Sequence, residues 1–203
     1  MTNNALHPSN ELHAEELHTD GQLAADLPAV TGNTAISHPS TSAVVNISTE
    51  KRPARERRIL ASVIIPQPVE NVWQVITDYE KLSDFIPSLT SSKLIPNSEG
   101  RTRLEQVGTQ CFLRVKFCAR VVLDMTENFP HEVGFLMKEG DFKRFEGFWK
   151  LEPADQGTKL SYDLLVKAPA AMPTPLIERH LRNNLISNLL AIHKRTLDVA
   201  ALG

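Results

Sequence analysis

Apolar residues recur along this chain with two different periods, and the switches between them mark out its elements. From residue 57, the run RRILASVIIP reads as a strand ended by Pro66, because proline has no N–H to give to a sheet ladder. In PVENVWQVITDY the period changes, and Val69, Val72, Trp73 and Ile76 fall on one helical face. Pro68 suits the first turn of that helix. A second short helix over 80–85 is stopped by Pro87.

A long β region follows, with turn signals at 97–100, 128–130, 140–141 and 155–157. The clearest alternation is CFLRVKFCARVVLDM, which predicts one long strand over 111–125, wet on one side. Leu113, Val115, Phe117, Ala119, Val121, Leu123 and Met125 share one face, and Arg114, Lys116, Arg120 and Asp124 the other. Asp124 is therefore expected as a surface charge. Val133, Phe135 and Met137 continue the scheme, as do Phe145, Gly147, Trp149 and Leu151, then Leu160, Tyr162, Leu164 and Val166.

Pro169, Pro173 and Pro175 separate this region from an amphipathic segment of about 25 residues whose apolar stripe is Ile177, Leu181, Leu185, Leu189, Ile192 and Leu197. As a helix it would be ~38 Å long, comparable to the width of the domain it belongs to, so it must cross the whole sheet. The order strand, two short helices, six-strand meander, long helix predicts an α+β domain over 57–200. In it, a curved antiparallel sheet of about seven strands wraps the C-terminal helix. A curved sheet and a straight helix diverge away from their line of contact, and the gap is either filled by side chains or open to a ligand.

Residues 1–56 look different. All twelve aromatics lie at or after Trp73, and the first fifty residues hold six acids, no Lys or Arg and only scattered leucines. Such a segment cannot bury enough to offset the entropy of ordering it, so a disordered acidic tail with a basic linker is expected. NELHAEELH from Asn10 could form a transient helix behind an Asn cap. His7, His13 and His18 have no fixed geometry there, and no metal or other cofactor is expected.

Charge and spacing remove several function classes. Residues 51–58 carry five bases (Lys51, Arg52, Arg55, Arg57, Arg58) and one acid, while 59–203 hold 17 of each sign. Without a basic face over its folded part, the chain is not expected to bind nucleic acid. The short basic cluster is a candidate for peripheral contact with an anionic membrane surface. No apolar run reaches 18 residues and no charged leader opens the chain, so neither spanning nor secretion is expected. The nine glycines are never closer than six apart, which excludes P-loop, dinucleotide and kinase Gly-rich loops. Cys111 and Cys118, placed on one strand, would lie on opposite faces and roughly 23 Å apart, too far for a disulfide. Both read as packing residues of a reducing, cytoplasmic compartment.

PVENVWQVITDYEKLSDFIP, FEGFWKLEP, GTKLSYDLLVKAP and the final amphipathic helix together resemble the polyketide cyclase/dehydrase and lipid-transport group of the START-like, birch-allergen-like superfamily. The likeness, strongest to the coenzyme-Q-binding START branch, spans roughly 57–198. It implies a helix-grip fold whose cavity binds hydrophobic molecules such as quinones, lipids or polyketide chains. Some members are cyclases or dehydratases, many only bind and deliver, and no shared catalytic set can be carried over.

Candidate ligand-facing residues are Phe85, Phe117, Val121, Phe135, Phe145, Trp149, Tyr162, Leu164, Ile177, Leu181 and Leu185. Trp73 reads as a core anchor. Tyr162 brings a hydroxyl to an apolar face, where it needs a partner, and so is the preferred contact for a ligand carbonyl. Of Glu105 and Gln106 one must face inward; a buried carboxylate could act as acid or base, whereas an outward one would pair with Arg103 or Arg114. His180 and His131 read as a solvated helix flank and a loop, and no nucleophilic triad can be assembled. Three functions stay open: a carrier of a lipid or quinone, a cyclase or dehydratase using Glu105 or Tyr162, and an adaptor with a filled interior.

Overall fold

The computed structural model describes residues 43–97, 100–112, 115–170 and 173–202; for 109–112 and 115–117 only the backbone is described. Eight antiparallel strands form one sheet in the order β1-β2-β8-β7-β6-β5-β4-β3. They are β1 (Asn46–Lys51), β2 (Glu56–Ile65), β3 (Leu89–Leu94), β4 (Arg103–Phe112), β5 (Val115–Asn128), β6 (Glu132–Gly140), β7 (Arg144–Ala154) and β8 (Gly157–Lys167). Between β2 and β3 come α1 (Val69–Thr77) and, after a 3-10 turn over Tyr79–Lys81, α2 (Leu82–Phe85); α3 (Thr174–Ala200) closes the chain. The curved sheet gripping a long terminal helix is the expected α+β, helix-grip architecture.

Two expectations need correction. Residues 46–51 pair along β2 from Asn46↔Ser62 to Lys51↔Arg57, so the expected tail contributes the eighth strand and folded structure begins before residue 57. NISTEK has too few apolar residues to announce a strand; β1 holds its place through ladder hydrogen bonds at a sheet edge. Residues 1–42 of the tail lie outside the described residues, including His7, His13, His18 and the expected helix at Asn10. Second, 111–125 is not one strand. β4 ends at Phe112 and β5 starts at Val115, so a hairpin sits inside an unbroken alternation that no Gly or Pro interrupts. The cysteines therefore lie on neighbouring strands, Cys111 opposite Lys116 and Cys118 opposite Thr109, diagonal to one another rather than 23 Å apart.

Sheet alternation supplies the core. Ile59, Ala61, Val63 and Ile65 on β2, Leu160, Leu164 and Val166 on β8, Leu151 on β7, and Val133 and Phe135 on β6 are buried on the concave face. α1 lays Val72, Trp73, Val75 and Ile76 onto it. Pro68 stands at its N-cap, one position before the first turn, its carbonyl accepting from Asn71 and Val72. α3 packs on β2, α1 and α2 and buries Leu185, Leu189, Ile192 and Thr196. Its buried stripe ends on Thr196 instead of Leu197; the Thr196 hydroxyl is satisfied by donating to the Ile192 carbonyl at 2.8 Å.

Candidate functional site

A cavity of about 170 Å³ remains between the concave face and α3. Its aromatic half comes from β6, β7, β8 and the β6–β7 turn. Ring centroids step from Phe142 to Phe145 (5.3 Å), Phe145 to Phe135 (5.7 Å), Phe135 to Tyr162 (5.5 Å) and Tyr162 to Trp149 (4.2 Å). Gly147 makes this row possible. A Cβ there would stand 2.9 Å from Phe135 Cζ and only 1.9 Å from the Asp163 carbonyl oxygen, so only glycine lets Phe135 lean across β7. The aliphatic half comes from α1, α2, β4 and β5, through Ile76, Leu82, Ile86, Leu104, Val121 and Leu123.

Polar groups meet the cavity at few points. The Tyr162 hydroxyl has no hydrogen-bond partner among the described residues, and burial, followed by the nearby Asp163 charge, pushes its phenol well above the ordinary value. Tyr79 also lines the space, but its hydroxyl donates to Glu127 Oε1 at 2.7 Å, and burial, then that bond, raise its phenol too. From α3 come Asn184 and Asn188; Ser88 donates to Asn188 Oδ1 at 3.0 Å, and Asn184 Nδ2 lies 3.2 Å from His180 Nε2. Gln106 of β4 completes the set, its amide 3.3 Å from the Ser92 hydroxyl. Among the described residues no Asp, Glu, Lys, Arg or His lines the cavity.

Of the residues expected to face a ligand, Val121, Phe135, Phe145, Trp149, Tyr162, Leu164, Leu181 and Leu185 line it. Phe85 does not; its ring lies under the Arg195 guanidinium at 5.8 Å. Ile177 is half-buried one turn before the lining begins on α3. The side chain of Phe117 lies outside the described residues. Gln106 is the inward member of its pair; Glu105 faces away and accepts from Arg120 Nε at 2.6 Å, so it is not placed to act in the cavity. Asp124 is not a surface charge but is 5% exposed, bound by Arg103. The basic cluster is largely engaged: Arg57 with Glu178, Arg58 with Asp163, Arg52 with Glu50, and Arg55 with Thr174 and the Ala170 carbonyl. Sequence reasoning missed Tyr79, Asn184 and Asn188. The two asparagines lie four apart, a helical spacing that signals one face, but their amides read as solvent-facing.

Residues 65–189 match the family model described as polyketide cyclase / dehydrase and lipid transport. The chain belongs to this family. Among curated proteins it is similar to the ribosome association toxin RatA of Rickettsia prowazekii (strain Madrid E), 21% identical over 136 residues, 67% of this chain and 93% of that protein. Among solved structures it is similar to a START superfamily protein from Mycobacterium smegmatis, with a TM-score of 0.60 and 16% identity over 70% of this chain and 98% of that one. The Zhui aromatase/cyclase from Streptomyces sp. R1128 follows with 0.59 and 15%, over 70% and 93%. At these identities the structural likeness establishes the START-like fold, and the family membership supports hydrophobic-ligand binding, polyketide cyclisation or lipid transport in general.

Proposed function

We propose that this domain binds and hands on an uncharged, ring-bearing hydrophobic molecule such as an isoprenoid quinone, with the ring against Phe135, Phe145 and Trp149 and a ring carbonyl accepting from Tyr162. The observation that carries this reading is the hydroxyl of Tyr162, a donor without a described partner on a half-buried ring that lines an aromatic-walled cavity. An ionised lipid head would find no counter-charge among the lining residues, and burying an uncompensated charge costs several kcal/mol.

Size sharpens the reading. Drug-sized ligands occupy roughly 300–1,000 Å³, whereas a dry cavity of about 150 Å³ takes a single benzene. A volume of 170 Å³ suits one ring, so a longer tail must leave through the mouth. That volume argues equally against an adaptor with a filled interior. Cyclase or dehydratase chemistry is less well supported, because acid–base catalysis works best with a group that titrates near the working pH. The lining phenols are pushed the other way.

Cys118 is an exposed free thiol, which suits a reducing, cytoplasmic setting. Contact with a membrane would then be peripheral and transient, through Lys51 and the outer arginines. Ribosome association is not carried over from the Rickettsia relative, since Arg52, Arg57, Arg58, Arg103 and Arg120 are each bound to a carboxylate. Mass spectrometry of solvent extracts, with titration by short-chain quinones, fatty acids and phospholipids, tests the proposal. Saturable uptake of neutral ring compounds alone supports it; no uptake, or preference for ionised lipids, overturns it.

A further inference from the structure

We propose that Gln106 of β4 determines which ring the cavity prefers, by accepting a hydrogen bond from a hydroxyl that the ligand carries in addition to its carbonyl; this rests on the reading of the cavity as a ligand site. Gln106 is a polar interruption in an apolar row. Along β4 the cavity side runs Leu104, Gln106, Gly108, and across the sheet Gln106 stands directly opposite Ser92 of β3 and Val121 of β5. An amide left unpartnered in such surroundings costs free energy, so its hydrogen bonds can be followed one by one.

The chain of bonds begins at a backbone carbonyl. Ser92 is 5% exposed and donates its hydroxyl hydrogen to the Tyr79 carbonyl at 2.6 Å, which can only accept. Ser92 Oγ then has only lone pairs to offer. The Gln106 amide group 3.3 Å from it must therefore be Nε2, donating, and this orients the amide. Oε1 is left as an acceptor with no partner among the described residues.

The other polar groups of the wall are placed differently. Asn188 Oδ1 already accepts from Ser88 at 3.0 Å, and the Asn184 amide meets His180 Nε2, whose role changes with its tautomer. Tyr79 gives its hydroxyl to Glu127 Oε1. The cavity thus has a hydroxyl on β8, Tyr162, and an oriented acceptor on β4, Gln106, with β7, β6 and β5 between them in the sheet. A ring with a carbonyl at one end and a hydroxyl at the other satisfies both. A ring lacking the hydroxyl leaves Oε1 unpaired, and an unpaired site group is what makes polar pockets reject such analogues.

Titration calorimetry of the full chain tests this with three one-ring ketones that share an acetyl group: 4-hydroxyacetophenone, 4-methoxyacetophenone and 4-methylacetophenone, at a pH that keeps the phenol protonated. The hydroxyl compound should bind roughly three- to tenfold more tightly than either of the others, the value of one hydrogen bond. Gln106→Leu should bring that ratio close to one, and Gln106→Met serves if that variant does not fold. Tyr162→Phe should weaken all three together and keep the ratio, because the carbonyl is common to them. A merely structural role for Gln106 beside Ser92 would likewise move all three affinities together. A ratio retained in Gln106→Leu, or a methoxy compound bound as tightly as the hydroxyl one, overturns the role of Gln106. Uptake of none of the three removes the ligand reading of the cavity itself, and the role of Gln106 with it.

Discussion

Arg103 and Asp124 clasp each other across β4 and β5 on the convex side of the sheet, Nε donating to Oδ1 at 2.5 Å and Nη2 to Oδ2 at 3.0 Å. They are directly opposite in register, which is where a cross-strand pair is strongest. The bond from Arg103, opposed by burial, holds the Asp124 carboxyl below its ordinary range. A group whose pKa is depressed by folding stabilises the fold above its unfolded value, about 3.9, and that contribution is lost as pH falls through the folded value. Asp124→Asn should lower stability by about 2 kcal/mol near neutral pH, read as a lower urea midpoint, and the difference from the unaltered protein should shrink in strong acid. Equal midpoints at pH 7 would show that the pair contributes nothing.

Gly147 supplies a second prediction. Its missing side chain is filled by backbone, since an added Cβ would meet the Asp163 carbonyl at 1.9 Å. Gly147→Ala should therefore force β7 away from β8 and cost at least ~2 kcal/mol or prevent folding, whereas Gly100→Ala, at a turn with nothing within 4 Å, should cost only its positive-φ strain. Thermal midpoints of the two variants separate these cases; similar midpoints would mean that the strands yield easily.

His180 and His193 on α3 both have pKa values lowered by burial. The folded state thus prefers them neutral while the unfolded chain protonates near 6.5. Stability from this source is complete above about pH 6.5 and is lost as pH falls through the lower folded values. Melting should drop between pH 7.5 and 5.5, and the double variant His180→Gln, His193→Gln should flatten that slope. A slope of the same size in the double variant would assign it to other groups.

The fold was legible because its signals are periodic. Val69, Val72, Trp73 and Ile76 could lie only on a helix face, and Leu160, Tyr162, Leu164 and Val166 only on one side of a strand. What escaped had no such signal. The β4–β5 hairpin lies inside an alternation that continues in phase, so nothing marks where the chain reverses. β1 reads as polar tail because an edge strand needs hydrogen bonds more than burial. Asp124 follows the outward phase correctly, yet the outer face is not uniformly wet, since Val122 beside it is also buried. The aromatic wall of the cavity was readable from alternation, but Asn184 and Asn188 were not, because amides on a helix carry no sign of which way they face.

Tyr162→Phe separates binding from folding. The hydroxyl has no described partner to lose and the ring keeps its neighbours Phe135 and Trp149, so stability should stay within about 0.5 kcal/mol. A ligand carbonyl, in contrast, would lose one hydrogen bond, lowering affinity for a short-chain quinone about three- to tenfold. Unchanged affinity in titration would remove Tyr162 from the binding site.

Val121→Phe asks whether the space itself is used. Val121 lines the cavity from β5, and the larger ring would project into the 170 Å³ gap and occupy much of it. Inserting bulk into a fully packed interior typically costs 1–3 kcal/mol, because neighbours must leave their rotamers. Here the ring meets open space, so the urea midpoint should hold or rise slightly as apolar surface finds contacts. Ligand uptake should fall by more than tenfold in the same protein, since ring and ligand compete for one volume. A variant that unfolds easily would indicate that the gap closes in solution, and one that still takes up quinone at full affinity would place the ligand elsewhere.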